Sequence, residues 1–150
     1  MSGGVFQIIV LLLLLSCSAC DRDSSRVQPT GKIEPVSVAS ENDKIVEAYR
    51  SGTSGIFVES EGTVEKILPD GREGSPHQRF IVRLLNGHTL LIAHNIALAP
   101  RLDDIEVGDT VNFHGQYEWN AKGGVIHWTH HDPNNRQEGG WLLHAERRYE

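Results

Sequence analysis

The spacing of apolar positions divides the chain into an apolar leader, a polar segment and a folded region. Residues 5–15 are almost continuously apolar, and residues 21–40 are polar and contain two prolines. After this segment, residues 40–50 carry apolar side chains at helical spacing, preceded by polar residues that can cap a helix N-terminus. Gly52 follows as a stop signal, so the pattern predicts one short helix.

From residue 62 onward the apolar positions alternate with polar ones, which is typical of β-strands. The clearest signal is a pair of alternating runs joined by Asn86-Gly87. Asn-Gly between two such runs predicts a two-residue hairpin turn, and counting outward from it pairs Arg79 with His94. This register predicts a core face made of Phe80, Val82, Leu84, Leu91 and Ala93.

Three further alternating segments complete the predicted β-region: residues 62–68, 107–119 and 124–131. The longest irregular connection falls between the third and fourth of the five strands. This arrangement favours a five-stranded oligonucleotide/oligosaccharide-binding (OB) barrel over a sandwich, which takes about seven strands. We therefore predict a mostly β protein, a small five-stranded OB-like Greek-key barrel with a short N-terminal helix.

The apolar leader has the length of a secretory signal core and is shorter than the ~20 residues of a membrane-spanning helix. Ser18-Ala19-Cys20 follows it and resembles the lipobox of bacterial lipoproteins, in which the cysteine is lipidated. Plain signal cleavage and cleavage before Cys17 are the alternatives. We expect a lipoprotein-type signal peptide over residues 1–19, a tether over 20–40 and a single OB-like domain over 41–150.

Lipidation of Cys20 would anchor the protein to the periplasmic face of a bacterial membrane. Asp21 directly follows this cysteine and resembles the inner-membrane retention signal of enterobacterial lipoproteins, which favours the inner membrane. Both cysteines lie in the leader, so we expect no disulfide and no thiolate metal site in the folded region. The formal net charge of -6 argues against nucleic acid as a partner, because phosphate-backbone binding needs clustered Lys and Arg.

The first hairpin carries a group of polar side chains on its predicted outer face. His77, Arg79 and His94 share this face at the end away from the turn, and Asn95 is adjacent. A guanidinium with two imidazoles and an amide can bind a carboxylate or phosphate, because arginine offers a planar fork of donors. These four residues form the predicted ligand-binding site. The alternative is a structural role, with Arg79 paired to a nearby carboxylate.

The last two predicted strands carry a second group, rich in histidine. Pairing these strands across a four-residue loop places His114 between His127 and His131 on one face. Imidazole suits zinc, copper and nickel, so these three residues are the predicted site for a divalent transition metal. The alternative is a sheet face without any cofactor, on which histidine merely suits half-buried strand positions.

Several short motifs extend over most of the chain after residue 62. They are HQRF at 77–80, LIAHNI at 91–96, Gly108-Asp109, YEWNAKGGVIHWTHHDP at 117–133 and Gly140-Trp141. Together they resemble a bacterial family of small secreted or lipid-anchored proteins that is catalogued as a domain of unknown function. The resemblance implies an exported OB-like domain and no established activity, so function has to be argued from the site.

Three hypotheses for function follow from these features. The first is a non-catalytic OB-like binding module of the cell envelope, whose partner is a small anionic ligand, a glycan or another envelope protein. The second is a metal-dependent hydrolase, similar to phosphoesterases or nucleases, in which the histidine cluster holds the ion that activates water. The third is a periplasmic metal-binding protein. We favour the first and expect no catalysis, because the histidine spacing matches no recognised zinc signature.

Overall fold

The computed structural model describes residues 38–150. The predicted signal peptide, Cys20 and nearly all of the predicted tether lie outside the described residues. The helix in this part of the chain is not long and apolar enough to cross a membrane. The elements are α1 (Val38–Ser51), β1 (Ile56–Gly71), β2 (His77–Arg83), β3 (Thr89–Asn95), β4 (Thr110–Glu118), β5 (Val125–His127), β6 (Trp141–His144) and β7 (Arg147–Tyr149).

The first five strands pair in a ring. The pairs are β1 with β2, β2 with β3, β3 with β5, β5 with β4, and β4 back to β1. All are antiparallel except β3 with β5, which is parallel. β6 and β7 extend the sheet from β4. Residues 38–150 are mostly β, with five strands in a ring and one short N-terminal helix, and this confirms the predicted fold class.

The core of the protein lies inside the ring, because each ring strand turns one face inward. The fully buried apolar residues of the five ring strands include Val58, Val64, Phe80, Val82, Leu90, Ile92, Val111, Phe113, Tyr117 and Ile126. α1 covers the core with Ile45 and Ala48. The helix ends as predicted: Gly52 has a φ of 70°, and the Thr53 N–H donates to the Ala48 carbonyl at 2.9 Å, as in a Schellman cap.

β1 is longer than the predicted strand and bends to reach two partners. It begins at Ile56, and its first half pairs with β4 while its second half pairs with β2. It also includes Pro69-Asp70-Gly71, which lie beyond the predicted strand of residues 62–68. Register shifts on the β2 side between Val64 and Lys66, and again before Gly71, let the strand curve, because bulges increase local bend and twist.

The β2–β3 hairpin forms, but its predicted register is wrong by one residue. Gln78 pairs with His94, and Arg79 pairs with Ala93. The loop between the paired strands has an extra residue, because the Gly87 N–H donates to the Leu84 carbonyl and Gly87 has a φ of 86°. A type I turn followed by a left-handed glycine adds one residue to a two-residue loop.

This extra residue turns β3 over relative to the prediction, because a one-residue shift moves every side chain of a strand to the other face. Leu90, Ile92 and His94 now point into the core. Leu91 and Ala93, which were predicted to face the core, lie on the outer face with Arg79 and line a surface cleft there.

β5 and β6 pair with the same edge of β4, one after the other. His127 pairs with Gln116 of β4, and β5 ends at His127. Trp128 has a φ of 58°, which few bulky residues adopt, and the regular strand stops there. β5 therefore never reaches His114, contrary to the prediction, and His114 pairs with Trp141 of β6.

The loop between β5 and β6 is organised by Asp132. Its carboxylate accepts hydrogen bonds from the backbone N–H groups of Asn134, Arg136 and Gln137. These bonds stabilise the charged form and lower the pKa of Asp132. The Gly140 N–H then donates to the His130 carbonyl at 2.9 Å, which closes the loop against the start of β6.

We predict that Gly124→Ala destabilises the protein by about 3 kcal/mol or more, because an added Cβ overpacks a closed site. Gly124 has a φ of 98°, and a Cβ there would lie 2.1 Å from Cε2 of the buried Tyr117. Gly74→Ala is the matched control, since Gly74 has a φ of 76° but open space around it. The control should lose only about 1–2 kcal/mol from backbone strain. Urea unfolding measures both, and equal losses would contradict the close packing of Gly124 on Tyr117.

Candidate ligand-binding groove

A groove crosses the outer face of β2, β3 and β5. It consists of two clefts of about 550 and 290 Å³ that share Arg79 and Leu91. The β1–β2 connection borders the larger cleft, and the β4–β5 connection borders the smaller one. The apolar floor consists of Leu68, Ile81, Leu91 and Ala93. The groove depends on the observed register of β3, because the predicted register would have turned Leu91 and Ala93 into the core.

His77 and His127 line the larger cleft from β2 and β5, the two strands that flank β3. Their ring centroids are 6.4 Å apart, and the rings are nearly perpendicular, at 89°. The two strands that carry them are separated by β3, so the rings approach each other across this strand. The sequence prediction had assigned these two histidines to different sites.

The hydrogen bonds of His77 fix its tautomer. Its Nδ1 lies 2.7 Å from the Ser75 carbonyl, which can only accept, so Nδ1 carries the proton. Nε2 therefore has a free lone pair in the neutral ring. The ring of His127 has no hydrogen bond within residues 38–150, and burial lowers its pKa, with a smaller contribution from the charge of His77. Both rings are thus available to a ligand in the cleft.

Arg79 supplies positive charge at the junction of the two clefts. Its Nε and Nη2 donate to the Pro69 carbonyl at 2.9 and 2.7 Å, so its position is fixed without a carboxylate partner. Asp70, which also lines the larger cleft, is paired with Arg101 at 2.7 Å. Lys122 lines the smaller cleft from the β4–β5 connection. The groove therefore has Arg79 at its centre and Lys122 at one end, and the oppositely charged Arg72 and Glu73 line its other end.

The predicted ligand-binding residues are only partly brought together. His77 and Arg79 line the larger cleft, as expected for neighbours on one face. His94 points into the core and is fully buried, because of the shifted register. The Asn95 amide donates to the Ser75 hydroxyl, and its oxygen accepts from the Ala97 N–H, so Asn95 stabilises connections beside the cleft.

His94 forms a buried link between three segments. Its Nε2 donates to the Pro100 carbonyl at 3.0 Å, and its Nδ1 accepts from the Thr129 hydroxyl at 2.8 Å. Beside it the Gln78 amide donates to the Leu102 carbonyl, and its oxygen accepts from the Leu102 N–H. These bonds tie β2 and β3 to the β3–β4 connection and to the end of β5. Burial is the main cause that lowers the pKa of His94.

The predicted metal residues His114, His127 and His131 do not converge. His114 lies on the outer face of β4, where its ring packs between Phe57 and Trp141 and its Nε2 lies 3.1 Å from Glu138. His131 is exposed in the loop after β5. Within residues 38–150 no three His, Cys, Asp or Glu side chains are grouped so that they could hold a metal ion. The prediction failed because it assumed a regular strand through Trp128.

A separate cleft of about 520 Å³ lies between α1, β1 and β4. Its polar lining includes His114 and the carboxylates of Glu41, Glu59 and Glu138, and it contains no Lys or Arg. A lining of this charge does not suit an anion. The groove over β2, β3 and β5, which carries Arg79 and Lys122, is therefore the better candidate for the predicted anionic ligand.

We predict that His94 makes the protein less stable in acid. Its folded-state pKa lies below the ordinary value of 6.5, so its neutral ring contributes fully above that pH, and the contribution is lost as the pH falls below it. At neutral pH, His94→Gln should be about 1–3 kcal/mol less stable than the wild type, because the buried hydrogen bonds are disrupted. When the pH falls from 7.5 to 5.5, however, the variant should lose less stability than the wild type loses. Urea unfolding at both pH values measures this. The exposed His131→Gln is the control, and an equal pH dependence in all three proteins would contradict the buried neutral ring.

Comparison with known proteins places the chain in a family. No curated protein matches it. A family described as "Protein of unknown function (DUF3465)" matches residues 30–150, which include every described residue. This match confirms the resemblance to a bacterial family of unknown function that the sequence motifs indicated. The chain belongs to the DUF3465 family.

Proposed function

We propose that this protein is a non-catalytic binding module that holds a small organic anion in the groove over β2, β3 and β5. The observation that carries the proposal is the apolar floor with cations beside it. Ile81 and Leu91 provide the floor, and Arg79 and Lys122 provide the charge. A ligand with an apolar body and an acidic group matches both features, because the floor favours apolar surface and arginine favours carboxylates, phosphates and sulfonates.

The fixed position of Arg79 supports this proposal. Its bonds to the Pro69 carbonyl use Nε and Nη2, and Nη1 has no protein partner within residues 38–150. The guanidinium is therefore oriented before a ligand arrives, which lowers the entropy lost on binding. An anion at Nη1 could lie against Leu91, which lines both clefts. Acidic glycans and acidic protein segments are alternative occupants with the same chemistry.

The ring topology supports the same location by analogy. The five strands in a ring are compatible with the OB-like barrel that the sequence predicts. OB-folds bind their ligands on the face of strands 2 and 3, between the connections 1–2 and 4–5. The groove lies on that face and between those connections. Fold analogy gives the place of binding only, and the chemistry of the ligand is argued from the side chains.

We also infer that the domain is exported and anchored to a membrane. The support is the apolar leader followed by Ser18-Ala19-Cys20, which fits a lipoprotein signal. Acyl chains on Cys20 would hold the protein on the periplasmic face, and Asp21 favours the inner membrane. In that position the groove would meet ligands of the periplasm.

The groove proposal predicts binding of anilinonaphthalene sulfonate, a fluorescent probe with an apolar body and an anionic group. Ile81→Glu should weaken its binding by at least about tenfold, because it places a negative charge on the floor. Lys122→Gln should weaken it by a smaller factor, since it removes one exposed charge. Fluorescence titration of the folded protein measures each dissociation constant.

Val107→Glu is the matched control for the probe experiment. Val107 is 64% exposed and does not line the groove, so the same kind of substitution should leave the affinity unchanged. Thermal unfolding of each variant shows that the probe reports a folded site. Equal affinities for wild type, Ile81→Glu and Val107→Glu would refute the groove as the binding site.

The anchoring proposal predicts that Cys20→Ser moves the protein from the membrane fraction to the soluble fraction and abolishes labelling with radioactive palmitate. The physical reason is that acyl chains on this thiol would supply the membrane affinity. Cys17→Ser is the control and should stay labelled. Labelling that survives Cys20→Ser and disappears in Cys17→Ser would place the anchor at Cys17 instead.

A further inference from the structure

We propose that His77 and His127 form a binding site for a divalent transition metal ion, with Cu²⁺ bound most tightly. Both rings line the same cleft, and their centroids are 6.4 Å apart across β3. This site differs from the predicted metal site of His114, His127 and His131, with which it shares only His127. It also lies beyond the anion binding proposed above, which uses Arg79 and Lys122.

The distance between the rings suits a shared ion. A metal-bound imidazole places its ring centre about 3.2 Å from the ion. Two rings on opposite sides of one ion are thus about 6.4 Å apart, and two rings at a tetrahedral angle are about 5 Å apart. The observed 6.4 Å is at the upper end of this range.

The tautomer of His77 is the one that metal ligands use. A ligating histidine usually donates its second ring N–H to a carbonyl or carboxylate, which fixes the ring and leaves one lone pair. His77 Nδ1 donates to the Ser75 carbonyl in this way, so Nε2 is the available donor. His127 has no competing hydrogen bond among the described residues, and its half-buried ring favours the neutral form that coordinates metals.

The two imidazoles are the only protein ligands of this site among the described residues. No third His, Cys, Asp or Glu side chain of residues 38–150 is grouped with them, so water would fill the remaining coordination positions. Imidazole suits Cu²⁺, Ni²⁺ and Zn²⁺, and the affinity of such sites is highest for Cu²⁺.

The test is a titration of the untagged full chain with Cu²⁺ in the presence of glycine as a competing chelator. All samples carry Cys17→Ser and Cys20→Ser, so that thiolates do not contribute. We expect one tightly bound ion whose electron paramagnetic resonance spectrum shows two equatorial nitrogen ligands. His77→Ala and His127→Ala should each weaken binding by at least about tenfold and remove one nitrogen from the spectrum.

His131→Ala is the matched control, because His131 is an exposed histidine of the adjacent loop. It should bind Cu²⁺ as the wild type does. His127→Gln serves as a second variant if His127→Ala unfolds, since it keeps a polar side chain at this half-buried position. Copper binding that persists unchanged without His77 and His127, that depends on His131, or that glycine abolishes in the wild type would overturn the proposal. Probe binding in the groove is measured separately, so the two proposals can fail independently.

Discussion

The left-handed conformation of Gly87 is the constraint on which the site depends. It adds one residue to the turn between β2 and β3, and this residue decides which face of β3 points into the ring. His94 thereby enters the core and binds the Pro100 carbonyl and the Thr129 hydroxyl. The same shift turns Ala93 outward, where it forms part of the groove floor. The buried hydrogen bonds and the outer groove are two consequences of one register.

The edge of β4 is the second constraint, because β5 and β6 share it. β5 occupies the part of the edge next to Gln116 and Glu118, and β6 occupies the part next to His114. The chain has to leave the sheet after His127 and come back at Trp141. This detour separates His114 from His127, and it leaves His127 to face His77 across β3. The histidines therefore lie in different structural environments and do not form one cluster.

Sequence patterns predicted the helix, the five ring strands and the family because those features depend on residue type and local period. The site was predicted only in part, because it depends on register. An Asn-Gly turn is compatible with loops of two or three residues. The loop length decides whether Ala93 or His94 points into the core. The segment after Gly124 was also predicted to be a regular strand. The alternation of apolar and polar residues does not indicate the positive φ of Trp128. His77 and Arg79 were found since they lie in β2, whose faces were assigned correctly.

The register of β3 is therefore the claim to test first, and the methyl group of Ala93 reports it directly. A nuclear Overhauser spectrum of the folded protein measures which protons lie within about 5 Å of this methyl. We expect contacts to protons of Arg79 and His127, because Ala93 faces the groove that these side chains line and is the direct strand partner of Arg79. Contacts from the Ala93 methyl to the core rings of Phe113 and Tyr117 would contradict it, since they require the other face of β3 to point inward.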